Sequence, residues 1–130
     1  MRRGPATAPA IPSELEEQQQ LIAWAQDAQQ QHPELSLLFA IPNGEHRHWT
    51  VAKRLKRQGV RPGVPDLMLP APRSGWHGLF LELKRRDGGV ISDRQAGWHT
   101  GLLEQGYMVA VCRGAIDARN ALLKYLELPA

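Results

Sequence analysis

The chain lacks most of the features that would classify it at a glance. It has one cysteine, Cys112, in 130 residues, so no internal disulfide can form. A single thiol in the apolar run Tyr107 to Cys112 reads as a buried strand residue. No apolar run approaches the roughly 20 residues needed to span a bilayer. The charged start Met1-Arg2-Arg3 is not followed by the apolar segment of a secretory leader. No membrane partner is therefore expected, and the cytoplasm is the expected compartment. His46 and His48 stand two apart with no matching Cys/His set elsewhere, which argues against a zinc site.

Charge of each sign is missing from long stretches. Residues 13 to 45 contain no Lys or Arg but six acids: Glu14, Glu16, Glu17, Asp27, Glu34 and Glu45. Residues 46 to 61 contain no acid but hold Arg47, Lys53, Arg54, Lys56, Arg57 and Arg61, and Arg85 and Arg86 follow Lys84. A net charge of only +3 distributed so unevenly suits a polyanionic partner. The other reading of the basic segment is a solvated helix face.

The length favours one domain, large enough to bury a core without staples, and no internal repeat is present. Residues 1–12, rich in Pro and Ala, read as a loose arm, and residues 13–130 as the domain. Ser13 with Glu16 has the form of a capping box that opens a helix to about Gln31, with Leu15, Ile22 and either Ala25 or Trp24 facing the core. Glu16 is used by that cap, which leaves Glu14 or Glu17 free for other work. Leu35 to Ile41 reads as a strand, Pro42-Asn43-Gly44 as a turn, and Trp49 to Gln58 as a short basic helix stopped by Gly59. Strands are expected at Leu67–Leu69, Gly78–Lys84 and Tyr107–Cys112. A further helix runs from Ser92, boxed with Gln95, to about Gln105. A last helix covers Ala115 to Leu126, with Ile116, Leu123 and Leu126 spaced for burial. Trp24 and Trp98 read as core residues. The order predicts an α/β fold, a mixed sheet of about four strands flanked by helices.

One stretch carries chemistry. Gly63-Val64-Pro65-Asp66 ends a turn with an acid, and Leu79-Phe80-Leu81-Glu82-Leu83-Lys84 is a strand with an acid and a lysine two residues apart. Strand side chains alternate, so Phe80, Glu82 and Lys84 share one face and Leu79, Leu81 and Leu83 the other. If Asp66 opens the neighbouring strand, its carboxylate converges with that of Glu82. Two such carboxylates suit Mg²⁺ or Mn²⁺, and a lysine beside them suits phosphate-ester hydrolysis.

Pro65-Asp66 followed by Glu82-Leu83-Lys84 matches the PD-(D/E)XK nuclease pattern. Further segments carry a closer likeness: Ser13-Glu14 with Gln18, Phe39 to Gly44, Gly59-Val60 to Asp66, Gly78 to Lys84, Ile91-Ser92 with Gln95, and Gly106-Tyr107 to Cys112. Across residues 13 to 128 the chain resembles the stand-alone, phage-type VRR-NUC (virus-type replication-repair nuclease) domain. The resemblance implies a restriction-endonuclease-like core and divalent-metal-dependent cleavage of DNA. It implies Asp66, Glu82, the Leu83 carbonyl and Glu14 as metal ligands, Lys84 as the catalytic lysine, and Gln95 and Gln18 as residues lining the site. Asn43, Gly63 and Ser92 fall in matched segments and are read as supporting it. Arg47, Lys53, Arg54, Arg57, Arg61, Arg85 and Arg86 are read as backbone contacts to DNA. Stand-alone relatives imply a homodimer acting on branched DNA such as Holliday junctions, with no nucleotide cofactor. The alternatives are a non-catalytic DNA-binding module and an RNA-processing nuclease.

Overall fold

The computed structural model describes residues 10–42 and 49–130. The chain runs as helix α1 (Glu14–Ala28), a 3-10 turn (Pro33–Leu37), strand β1 (Phe39–Ala40), helix α2 (Trp49–Arg57), strands β2 (Leu67–Leu69) and β3 (Leu79–Lys84), helix α3 (Asp93–Glu104), strand β4 (Met108–Arg113) and helix α4 (Ala115–Glu127). The strands form one sheet in the order β1-β2-β3-β4. β1 and β2 pair antiparallel, as do β2 and β3, whereas β3 and β4 pair parallel. This is the mixed four-stranded α/β arrangement that the pattern of elements predicts. Its one parallel pair, β3 and β4, is joined through α3, because a parallel neighbour needs a long crossover. Among the described residues no helix is long and apolar enough to cross a membrane.

β3 is the centre of the molecule, and all six of its residues are buried. Leu79, Leu81 and Leu83 belong to the main core with Leu67, Leu69, Leu21, Leu35, Leu122 and Tyr125, under α1 and α4. Phe80, Glu82 and Lys84 occupy the opposite face, where Gln95 and His99 of α3 reach Lys84 and Glu82. A strand with one wet face is thus not what forms. Both faces are covered, one by an apolar core and the other by a helix whose contacts to the strand are polar.

Three sequence-based expectations are corrected. The expected strand from Leu35 shrinks to Phe39–Ala40, because Pro33 starts a 3-10 turn that drops Leu35 into the core. In α1 the inward stripe is Glu17, Leu21 and Ala25, whereas Leu15 is 65% exposed. In α4 it is Ala115, Ala118, Leu122 and Tyr125, whereas Ile116 is 67% exposed. A stripe displaced by one residue turns by about 100° around a helix, so a misplaced start misassigns the face. The small Ala115 and Ala118 let α4 approach closely, and the buried Tyr125 hydroxyl donates to the Ala71 carbonyl at 2.5 Å. Cys112 is buried as expected. Burial, with the Asp117 charge second, pushes its thiol up to about 12.

Leu81→Ala, at a fully buried position, is expected to destabilise the fold by about 2–5 kcal/mol. Leu15→Ala is expected to change stability by no more than about 0.5 kcal/mol. Urea denaturation followed by circular dichroism measures both, and equal losses would place Leu15 in the core after all.

Candidate active site

The β2–β3 hairpin brings the first two acids together. Leu67 pairs with Leu81, so one step further along the antiparallel ladder Asp66 lies opposite Glu82. Gly63 makes the turn that leads there. Its φ is +89°, and a Cβ at this position would lie 2.6 Å from Arg94 Cγ and 3.1 Å from the Trp98 ring, so only glycine fits. The Asp66 backbone is pinned by Ile41, whose N–H donates to the Asp66 carbonyl at 2.8 Å. Its side chain takes over the end of the ladder. The Leu83 N–H, which points toward β2, donates to Asp66 Oδ2 at 2.6 Å. In the extended register Leu83 faces position 65, and Pro65 has no N–H to return. The Leu83 carbonyl lies on the same side of the strand as its N–H, so Pro65 cannot serve as its ladder donor.

Glu82 and Lys84 are 1% and 7% exposed, and α3 supplies their partners. Ser92 and Gln95 form the expected capping box, the Ser92 hydroxyl accepting from Gln95 N–H and the Gln95 side chain accepting from Ser92 N–H. Gln95 Oε1 also accepts from Lys84 Nζ at 2.8 Å. One amide oxygen thus caps a helix and holds the lysine in place. One turn on, His99 Nε2 lies 3.2 Å from Glu82 Oε1. Burial raises Glu82 to about 9, with Asp66 adding to the shift as hydrogen-bond partner and as charge, and Lys84 opposing it. Burial lowers His99 from its ordinary value, with the Lys84 charge second. Both shifts favour the uncharged forms of the two groups.

Burial separates Glu17 from Glu14. Glu17 is fully buried. One of its oxygens accepts from Arg86 at 2.7 Å, and the other accepts from the Ala115 N–H in a short bond. α4 begins at Gly114, which has no side chain to cap with. Glu17 therefore reaches across from α1 to cap α4. Glu14, exposed in the first turn of α1, acts on Glu82 by its charge. Gln18 is half-buried on α1. The Ser13 cap is simpler than a box: its hydroxyl accepts from Glu16 N–H, and the Glu16 carboxylate bonds that same hydroxyl.

The basic residues divide by what they already do. Arg86 pairs with Glu17 at 2.7 Å while its side chain stays about half exposed. Arg85 makes an exposed pair with Asp87 at 3.4 Å, and the Arg61 guanidinium lies over the Trp98 ring at 5.8 Å. Arg54 and Arg57 are on the exposed face of α2, as is Lys53. Asn43, Arg47, His46 and His48 lie outside the described residues. Arg113, which the sequence reading did not single out, donates to the Gly89 carbonyl at 2.8 Å and the Arg85 carbonyl at 3.4 Å, bracing the turn beyond Lys84. His99 and the buried role of Glu17 were also missed. The signal for His99 was its spacing of four from Gln95, which places both on one helical face.

Taken together, the Asp66 and Glu82 carboxylates and the Leu83 carbonyl are an all-oxygen donor set of the kind a hard divalent cation takes. A cation there would favour the ionised form of Glu82, against the burial and the Asp66 contact that raise its pKa. Among the described residues no three His, Cys, Asp or Glu side chains come close enough to form a closed cage. That is compatible with Mg²⁺, which keeps several waters.

In chelator, the protein is expected to lose stability as pH rises from about 5 to about 9. Over that window the native state keeps the Glu82 proton and the unfolded state, with its carboxyl near 4.5, does not. The slope should be at most about 1.4 kcal/mol per pH unit, and Glu82→Gln should flatten it. Denaturant melts at three pH values check this, and an unaltered slope in the variant would clear Glu82 as its source.

Comparison with known proteins bears on this geometry. The family model of the VRR-NUC domain matches residues 6–116. A solved structure described as a VRR_NUC domain protein superposes with a TM-score of 0.77 over 93% of this chain and 93% of its own, at 24% identity, and so shares the fold. No curated protein matches the chain. With most of its length covered by the family model, and with the Pro65-Asp66 and Glu82-Leu83-Lys84 motif brought together at one end of the β2–β3 hairpin, the chain belongs to the VRR-NUC nuclease domain family.

Proposed function

We propose that the protein is a divalent-metal-dependent endonuclease that hydrolyses phosphodiester bonds in DNA, with Mg²⁺ or Mn²⁺ held by Asp66, Glu82 and the Leu83 carbonyl. Glu14 acts on Glu82 by its charge and is not, among the described residues, part of a three-carboxylate cluster. The observation that carries the reading is the meeting of Asp66, Glu82 and Lys84 at one buried point, with Lys84 Nζ held at 2.8 Å from Gln95. Structural ion pairs also occur in proteins, but here burial leaves Glu82 far from its ordinary ionisation, the mark of a functional carboxyl.

When bound, the metal would supply charge neutralisation at the phosphate and a more acidic water. The chain's own groups do the rest. Asp66 and Glu82 present oxygens from adjacent strands, so their separation is set by the sheet and not by loop motion. Lys84 carries a positive charge on a buried face, where it counts for more than in water. It can orient an attacking water and offset charge growing on the phosphoryl oxygens. Gln95 removes the freedom of the lysine head, and His99 removes that of the Glu82 carboxyl, so neither must be ordered during the reaction. Exposed Arg54, Arg57 and Arg85 provide contacts to the nucleic-acid backbone that are independent of sequence.

Branched DNA is the substrate class we propose, cut by a homodimer. A two-fold dimer presents two equal centres, which a substrate with two equivalent strands requires, and a 130-residue chain is small to grip two duplex arms alone.

Incubating the protein with a four-way junction, a flap, a nicked duplex and plain duplex in Mg²⁺, Mn²⁺ or EDTA tests the reading. Cleavage in either metal, none in EDTA, and preference for the junction are expected. Lys84→Ala should retain DNA binding and lose cleavage by about 10²–10³-fold. Binding without cutting in both metals would make the protein a non-catalytic DNA-binding module. In the same assay Gln95→Leu should cut about 10- to 100-fold more slowly, as for other residues that orient a site from behind. A rate equal to wild type would reduce Gln95 to a helix cap.

A further inference from the structure

We infer that the open groove on α3 next to the candidate active site is a binding place for an unpaired nucleobase, stacked on Trp98. The inference rests on the proposed reading that the partner is nucleic acid. It begins with a residue out of place. Trp24 packs against the apolar core, as expected, whereas Trp98 is half-buried and not part of the core cluster. α3 has no buried residue at all, so the core does not account for its tryptophan.

Trp98 instead lines a groove of about 450 Å³ with Arg94, Gly97, Gly101, Leu102 and Gln105, a volume within the range of small-ligand sites. The groove is mainly apolar, and a Cβ on Gly97 or Gly101 would meet open space, so nothing along that side of the helix blocks a flat ring. Two arginines belong to the surroundings of the indole. Arg61 lies over its ring at 5.8 Å, and Arg94 belongs to the groove itself. An aromatic ring with arginines beside it is a combination that takes a base and its adjoining phosphates.

Position ties the groove to the chemistry. Trp98 packs on Gly63, three residues before Asp66, and its neighbour in sequence, His99, contacts Glu82. A base held there lies on the helix whose Gln95 and His99 hold Lys84 and Glu82. The competing occupant of an open helix face is a second copy of the chain. A two-fold contact on this face would bring the Arg94 side chains of the two copies toward each other, whereas a polyanion is favoured by the same charges.

The test uses the full chain and two duplexes carrying 2-aminopurine, unpaired in a bulge in one and paired in the other, with EDTA present so that neither is cut. Wild type is expected to bind the bulged probe about 5- to 100-fold more tightly and to quench its fluorescence. Trp98→Leu should abolish both the preference and the quenching, and Trp98→Phe should keep most of the preference. Gly101→Leu fills the groove at a position with room for the side chain and favours the helix, so it decides the matter if Trp98→Leu fails to fold. No preference in wild type, or a preference that both leucine variants retain, overturns the inference. So does loss of preference accompanied by a halved mass in light scattering, since the groove would then be a contact between copies. A wild type that prefers the bulge but cuts nothing in Mg²⁺ or Mn²⁺ would sink the nuclease reading and leave the groove standing. One that cuts without preference would do the reverse.

Discussion

Burial of Glu82 and Lys84 on the second face of β3 is the constraint to which the rest of the molecule answers. A charged or ionisable group taken out of water needs a partner, and leaving one unmatched costs more than most single contacts return. Here each has one: Lys84 the Gln95 amide, Glu82 the His99 ring and the Asp66 carboxyl. Among the described residues no buried side-chain nitrogen or oxygen lacks a hydrogen bond. α3 is consequently a helix with a polar underside, unlike α1 and α4, whose inner faces close the apolar core.

The same logic explains an acid that at first looks catalytic. Glu17 is as buried as any leucine, yet its oxygens are spent on Arg86 and on the first turn of α4. Gly114, with a φ of +92°, leaves room for that carboxylate: a Cβ there would come within 2.6 Å of Glu17 Oε2. This contact fastens α1 to the end of β4 and the start of α4. Arg113 does the corresponding job for the turn after Lys84. The site is thus held by long-range polar contacts from three separate parts of the chain.

How much of this was legible beforehand differs by interaction range. Alternation along residues 79–84 and the Pro/Gly turn before Asp66 revealed the two carboxylates, the lysine and their shared face, because strand periodicity and turn chemistry are local. The Ser92–Gln95 cap was likewise readable from adjacent residues. The inward stripes of α1 and α4 were misplaced by one or two positions because Leu15 and Ile116 look as apolar as any core residue. Only the packing of the two helices shows that Glu17 and Ala115 take the inside. Trp98 was read as core for the same reason, since hydrophobicity does not say which face of the sheet a helix covers.

What the amino-acid order determined by itself is the succession of elements and the shared face of Glu82 and Lys84, since both follow from turns, caps and periodicities spanning a few residues. What tertiary structure alone decided is which polar groups are buried and against what: His99 on Glu82, Gln95 on Lys84, Glu17 on α4. Those contacts join residues 11 to 98 positions apart, and burial and electrostatic environment are properties of the packed neighbourhood, which no local stretch of chain encodes.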